Sequence, residues 1–151
     1  MSLDDDIRVL SQVPLFEGFA PEQLRLLAFG AEKMQLAAGK RLFHQDEEAD
    51  TAYVVTQGKI VLLRERGDER VVIGTVGVGS IIGELALISN TKRLTGAATA
   101  AESELLRLDR RLFLRVLGEY PEMAIMLHRR ISDDLQALIK RIEKMGPRFA
   151  S

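Results

Sequence analysis

The chain has no cysteine and no tryptophan, and only two histidines, His44 and His128. Without thiols there are no disulfides, no thiolate metal ligands and no cysteine nucleophile, and two isolated histidines give little from which to build a zinc site. No Ser-His-Asp or Cys-His constellation can be assembled, so no catalytic residue is assigned. Charge of one sign is missing too: 21 basic residues face 22 acidic ones, a net charge of −1. Such a balance creates no field favouring DNA, RNA or an anionic membrane. No apolar run approaches the ~18 residues of a membrane span, and the acidic start Met1-Ser2-Leu3-Asp4-Asp5-Asp6 is the reverse of a basic secretory leader. A cytoplasmic protein with no metal, no direct nucleic-acid contact and no membrane contact is expected.

What is present is one domain's worth of chain, 151 residues. That length buries roughly two-thirds of its unfolded surface in one core. Asp4 to Leu10 and Pro21 to Phe29 read as short helices, the second with proline at its favoured first position and Leu24, Leu27 and Ala28 on its buried face. From Glu32 the pattern shifts to short β-type runs: 33–36, 41–44, 51–56, 60–64, 71–76, then 97–101 and 104–108. Gly39, Gly58 and Gly67 sit where hairpins need a positive φ. Strands this short and this evenly spaced predict an antiparallel sandwich or roll. Asp109 reads as the N-cap of a helix over 110–117 that buries Leu112, Phe113, Val116 and Leu117, with Gly118 and Pro121 interrupting it. The next helix, from Glu122 to about Met145, carries Leu127, Ile131, Leu135, Leu138, Ile142 and Met145 on one seam. That seam has its own barrel, a second copy of the chain, or both at different heights as its partner, and a parallel homodimer is the preferred reading.

Between the strands lies Ile81 to Thr99, IIGELALISNTKRLTGAAT. Gly83 permits close backbone approach, a helix beginning after it would present free N–H groups, and Arg93 would complete an anion cradle. On these features alone a strand end, a first-turn carboxylate and a solvated arginine account for the stretch equally well.

The string GELALISNTKR resembles the phosphate-binding cassette of the cyclic-nucleotide-binding domain family, shared by protein kinase A regulatory subunits, cyclic-nucleotide-gated channels and the catabolite activator group. The family's usual form is F-G-E-L-A-L-I, three residues, then P-R-A-A-T. Gly83 to Ile88 match residue for residue and Arg93 falls in register. Ile81-Ile82 replace the aromatic, Lys92 the proline, and Leu94-Thr95-Gly96 the Ala-Ala-Thr. Val13-Pro14-Leu15-Phe16 followed by Phe19 is similar to the family's usual approach to the barrel.

The resemblance implies a mainly β fold with α elements, an antiparallel β-roll (double-stranded β-helix, jelly-roll-like). N-terminal helices (1–30) would lead into a roll (31–108) holding the cassette (81–96), and C-terminal helices (109–145) would complete a single domain, 1–151. It implies a ligand site of Gly83, Glu84, Leu85, Ala86, Arg93, Leu94 and Thr95. Arg93 would meet the cyclic phosphate and Glu84 the ribose 2′-OH, with strand 71–76 and the terminal helix lining the base. Leu94 lacks the hydroxyl that cGMP-preferring relatives use, so cAMP is expected ahead of cGMP, with no other cofactor. A non-catalytic sensor that moves its C-terminal helices about a hinge between Leu117 and Pro121 and acts on an effector protein follows. Two alternatives stand beside it: an interaction domain that keeps the fold without nucleotide, and the sensor part of a catabolite-activator-type transcription regulator. Only Gly146 to Ser151 follow the last helix, so either the sensor is stand-alone or the chain is a fragment.

Overall fold

The computed structural model describes residues 2–144. Met145, the last residue of the expected seam, and the tail from Gly146 to Ser151 lie outside the described residues. Helix α1, Leu3–Gln12, opens with Ser2 and Asp5 capping each other reciprocally, and α2, Pro21–Gly30, follows a 3₁₀ turn at Pro14–Phe16. The Gln23 side chain accepts from the Ala20 N–H at 2.7 Å, satisfying a donor that no capping hydroxyl could reach.

The strands are β1 Glu32–Leu36, β2 Arg41–Phe43, β3 Glu48–Ala49, β4 Thr51–Gln57, β5 Ile60–Arg66, β6 Glu69–Val76, β7 Ile81–Ile82, β8 Thr91–Lys92, β9 Gly96–Thr99 and β10 Ser103–Asp109. They form two four-stranded sheets, β1-β10-β4-β7 and β2-β9-β5-β6, and a two-stranded ladder β3-β8. Every pairing is antiparallel, which makes the expected β-roll. Gly39, Gly58 and Gly67 have φ of 79°, 92° and 61° at the turns. The two-residue strands β3, β7 and β8 were not anticipated, since two residues carry no periodicity.

One sheet is covered on both faces. Ala52, Val54, Leu106 and Leu108 point towards the helices, where they join Leu10, Phe16, Leu27 and Phe113. Their neighbours Tyr53, Val55 and Leu105 point inward, against Phe43, Ile60, Leu62 and Ile73 of the second sheet. Alternate residues serve two cores, so 52–55 and 105–108 read as nearly continuous apolar runs instead of clean alternation.

Asp109 caps α3, Arg110–Glu119, by accepting from the Leu112 N–H at 2.7 Å. Gly118 does not break this helix, which runs on until the Tyr120 N–H closes it on the carbonyls of Val116 and Leu117. The bend into α4, Glu122–Lys144, therefore sits at Tyr120-Pro121, where proline cannot supply the next helical N–H. The seam on α4 faces its own domain: Leu127 and Ile131 are buried with the helices, and Leu138 and Ile142 lie against the inner core.

Candidate functional site

Pairing of Ile82 with Tyr53 and of Ile81 with Val54 delivers the chain to Gly83 at the rim of the roll. There the backbone turns left-handed, φ 74° and ψ 23°, a conformation open to glycine and costly for residues with a Cβ. Glu84–Leu87 then make the short helix expected after Gly83, as a single 3₁₀ turn. So short a turn sums few peptide dipoles. The buried positive charge in this wall is that of Arg93.

Arg93 is buried, 7% exposed. Its Nη2 donates to Thr51 Oγ1 at 2.9 Å, and its Cζ stands 4.2 Å from the Phe43 ring centroid and 5.9 Å from that of Tyr53. Among the described residues no carboxylate oxygen lies within 4.0 Å of the guanidinium. Burial pushes its pKa below the ordinary arginine value, while Tyr53, Asp50 and Glu47 pull the other way. The backbone is held on both sides, since the Arg93 N–H donates to Glu47 O and the Asp46 N–H to Arg93 O, each at 2.8 Å. A guanidinium fixed by a hydroxyl, two rings and its own backbone retains donors for an anion.

Arg110 secures the cassette from behind. Its guanidinium donates to Ala86 O at 2.7 Å, Ala49 O at 2.8 Å and Asn90 Oδ1 at 2.6 Å, tying the turn to β3 and α3. Gly96, one of the departures from the family pattern, is explained by packing: a Cβ there would come 2.6 Å from Arg41 Nη1, whose guanidinium bonds Glu65 at 2.8 Å. Leu94 offers its carbonyl to Arg64 Nη1 at 2.7 Å, which fixes the strand beyond the arginine.

These elements enclose a cavity of about 590 Å³, with Gly83, Glu84, Leu85, Ala86, Arg93, Leu94 and Thr95 all in its wall. Phe43 and Leu62 contribute from the second sheet, and Ile131, Asp134, Leu135, Leu138 and Arg141 of α4 close the open side. Of strand 71–76 only Val76 lines the cavity, because Ile73 points into the core and Val72 into solvent. The half-buried Glu84 faces Asp134. Burial, then the charge and hydrogen bond of Asp134, raise Glu84 to about 8, against the opposing effect of its own backbone N–H.

Sequence reasoning passed over Thr51, Phe43, Arg110 and Asp134. For the first three no local pattern exists, because their partners are 20 to 61 residues away. Asp134 was within reach, lying three residues after Ile131 and four before Leu138 on the inward stripe of α4. His44 and His128 do not line the cavity. Among the described residues no group of three or more His, Asp or Glu side chains could hold a metal ion, and no helix is long and apolar enough to cross a membrane.

The family model described as "Cyclic nucleotide-binding domain" matches residues 33–120. Among curated proteins, the "Cyclic AMP receptor protein" of Thermus thermophilus is 31% identical over 144 residues, covering 91% of this chain and 66% of its own. The "Lysophospholipase nte1" of Neosartorya fischeri is 28% identical over 136 residues, 89% of this chain and 9% of that enzyme. This chain thus spans a small part of the fungal enzymes and just under two-thirds of the bacterial receptor. Among solved structures, a "Cyclic nucleotide-binding-like protein" from Brucella abortus is 53% identical with a TM-score of 0.70, covering 76% of this chain and 99% of that one.

Proposed function

Because the chain belongs to the cyclic nucleotide-binding domain family, matched over residues 33–120, we propose that it is a non-catalytic sensor of a cyclic nucleotide. One observation carries the reading. Arg93 is buried in a cavity wall with no carboxylate oxygen within 4.0 Å among the described residues, and an anionic ligand is the partner such a guanidinium fits. A volume of about 590 Å³ lies within the usual range for small-molecule sites.

In this reading Arg93 meets the cyclic phosphate, with Gly83 and Ala86 keeping the wall low enough for backbone approach. Glu84 accepts from the ribose 2′-OH, Leu85 and Leu94 provide apolar walls, and Thr95 completes the pocket. The base lies under Leu135 and Leu138 of α4, a lid without an aromatic residue. Leu94 has no hydroxyl for a guanine amino group, which supports cAMP ahead of cGMP. Ligand bridging the cassette and α4 shifts the helix by its differential affinity for two arrangements, typically worth ~1–3 kcal/mol.

The sensor acts in the cytoplasm on an effector protein. Since α4 spends its seam on its own domain, a homodimer through this helix uses the outer face, where Ile125 is 75% exposed. Calorimetric titration with cAMP and with cGMP tests the reading: one-to-one binding with cAMP the tighter is expected. Absence of heat with either nucleotide at millimolar concentration overturns it.

A further inference from the structure

Glu84 and Asp134 come from parts of the chain 50 residues apart, the first on the cassette turn and the second on α4, yet their carboxyls meet at the cavity. Among the described residues neither has a Lys or Arg nitrogen within 4.0 Å. Charged and titratable groups on the surrounding elements are engaged elsewhere or, like Lys92 and Arg141, line the cavity without pairing with either carboxyl. Arg93 is held by Thr51 and Phe43, Arg110 of α3 donates to Ala86 O, and Tyr53 of β4 packs beside Arg93. Arg141 of α4 lies over Gly74 of β6, close enough that a Cβ there would meet its Nη1 at 2.5 Å. Lys92 of β8 is exposed, and α1 and the first 3₁₀ turn bring only Gln12, Pro14 and Leu15 to the cavity. A half-buried Glu84 carboxylate against an exposed Asp134 carboxylate is costly to ionise, and the available remedy is a proton on Glu84.

We propose that a proton held on Glu84 and donated to Asp134 latches α4 to the cassette, and that a ligand hydroxyl arriving at Glu84 displaces Asp134 and expels that proton. The Glu84 carboxylic acid donating to the Asp134 carboxylate, plus a ligand hydroxyl, becomes a Glu84 carboxylate accepting from that hydroxyl, a separated Asp134 carboxylate and one proton released to the buffer. The latch itself is a property of the free protein, whereas its displacement rests on the cyclic-nucleotide reading above. Asp134 is therefore a positioning residue: it sets the protonation of Glu84 and gives up its place when the ligand arrives.

The sign follows from the raised Glu84. Protonation favours the latched arrangement, so the latch is at full strength below the ordinary carboxylate value of 4.5, weakens between 4.5 and about 8, and is gone above 8. For a single proton the latched-to-open ratio falls about tenfold per pH unit across that window.

Two measurements on the whole chain separate the latch from the ligand. In the free protein, hydrogen-exchange protection of amides 131–141, corrected for intrinsic rates, should fall with pH between 5.5 and 8 and level off above 8. In Asp134→Ala, where burial alone still raises Glu84, the fall should be shallower and end at lower pH. A wild-type profile no steeper than the variant's overturns the latch, whatever the protein binds. With cAMP, calorimetry in two buffers of different ionisation enthalpy should show net proton release at pH 7 for the wild type and a smaller release for Asp134→Ala. Binding without release in the wild type overturns the displacement step. Absence of binding by the wild type overturns both the cyclic-nucleotide reading and the displacement, while the exchange profile still decides the latch.

Discussion

The Arg93 guanidinium occupies the space that a Cβ on Gly83 would need. Backbone conformation and close approach thus demand glycine at the same position, since φ is 74° there. Gly83→Ala should destabilise the fold by about 1–2 kcal/mol through the left-handed backbone alone. It should also displace the guanidinium and weaken cAMP binding at least tenfold, as urea denaturation and calorimetry would measure. Wild-type affinity in this variant would show that Arg93 is not held against Gly83.

Thr51 is the side chain that donates nothing to the ligand but aims the group that does. Thr51→Val keeps shape and removes the acceptor 2.9 Å from Arg93 Nη2. An affinity loss of about 1.4 kcal/mol, tenfold, is expected for one such hydrogen bond to a charged group. Arg93→Ala should abolish binding while the protein still unfolds cooperatively. Thermal shift with cAMP separates the two: the Thr51 variant retains a reduced shift and the Arg93 variant shows none.

Arg110 reaches three acceptors on two segments, Ala86 and Asn90 of the cassette and Ala49 of β3. Arg110→Ala leaves the backbone carbonyls of Ala49 and Ala86 without this donor, and a loss of about 2–4 kcal/mol is expected, since hydrogen bonds to charged groups are worth ~1.5–3 kcal/mol each and do not add fully. Urea denaturation measures it. A change under 0.5 kcal/mol would mean that the cassette keeps its place without this clamp.

Truncations along α4 should have opposite signatures. Leu127 is fully buried, 0% exposed, and Leu127→Ala should cost about 2–5 kcal/mol of stability. Leu138 is half-buried over the cavity, so Leu138→Ala should cost less than 1.5 kcal/mol and act mainly on cAMP affinity. Comparing urea midpoints with calorimetric affinities for the two variants checks this.

Elements whose signal is local were legible before the fold was seen. The Asp109 cap, Pro21 at the start of α2 and the positive-φ glycines each depend on a few neighbouring residues. The run from Gly83 to Arg93 was legible because a family pattern marked it. What escaped were relations between distant segments: Thr51 beneath Arg93, Arg110 behind Ala86 and Asp134 opposite Glu84. Leu105 shows the same limit within one strand, for the run 104–108 could not reveal that Leu105 joins one core while Leu106 and Leu108 join another on the opposite face. Gly118 misled because glycine near a proline resembles a helix end, whereas α3 tolerates it in the last turn and closes at Tyr120.

The uneven burial of α4 makes it a cantilever. Its root is clamped at Leu127 and Ile131, and beyond that the beam extends from residue 131 to 144 over the cavity. At 1.5 Å per residue that arm, resting only partly buried on Leu138 and Ile142, is about 20 Å long, so a tilt of about 10° at the root carries the tip through about 3 Å. Whatever reads this domain will find the largest displacement at the helix end farthest from the clamp, and the smallest within the core that holds it.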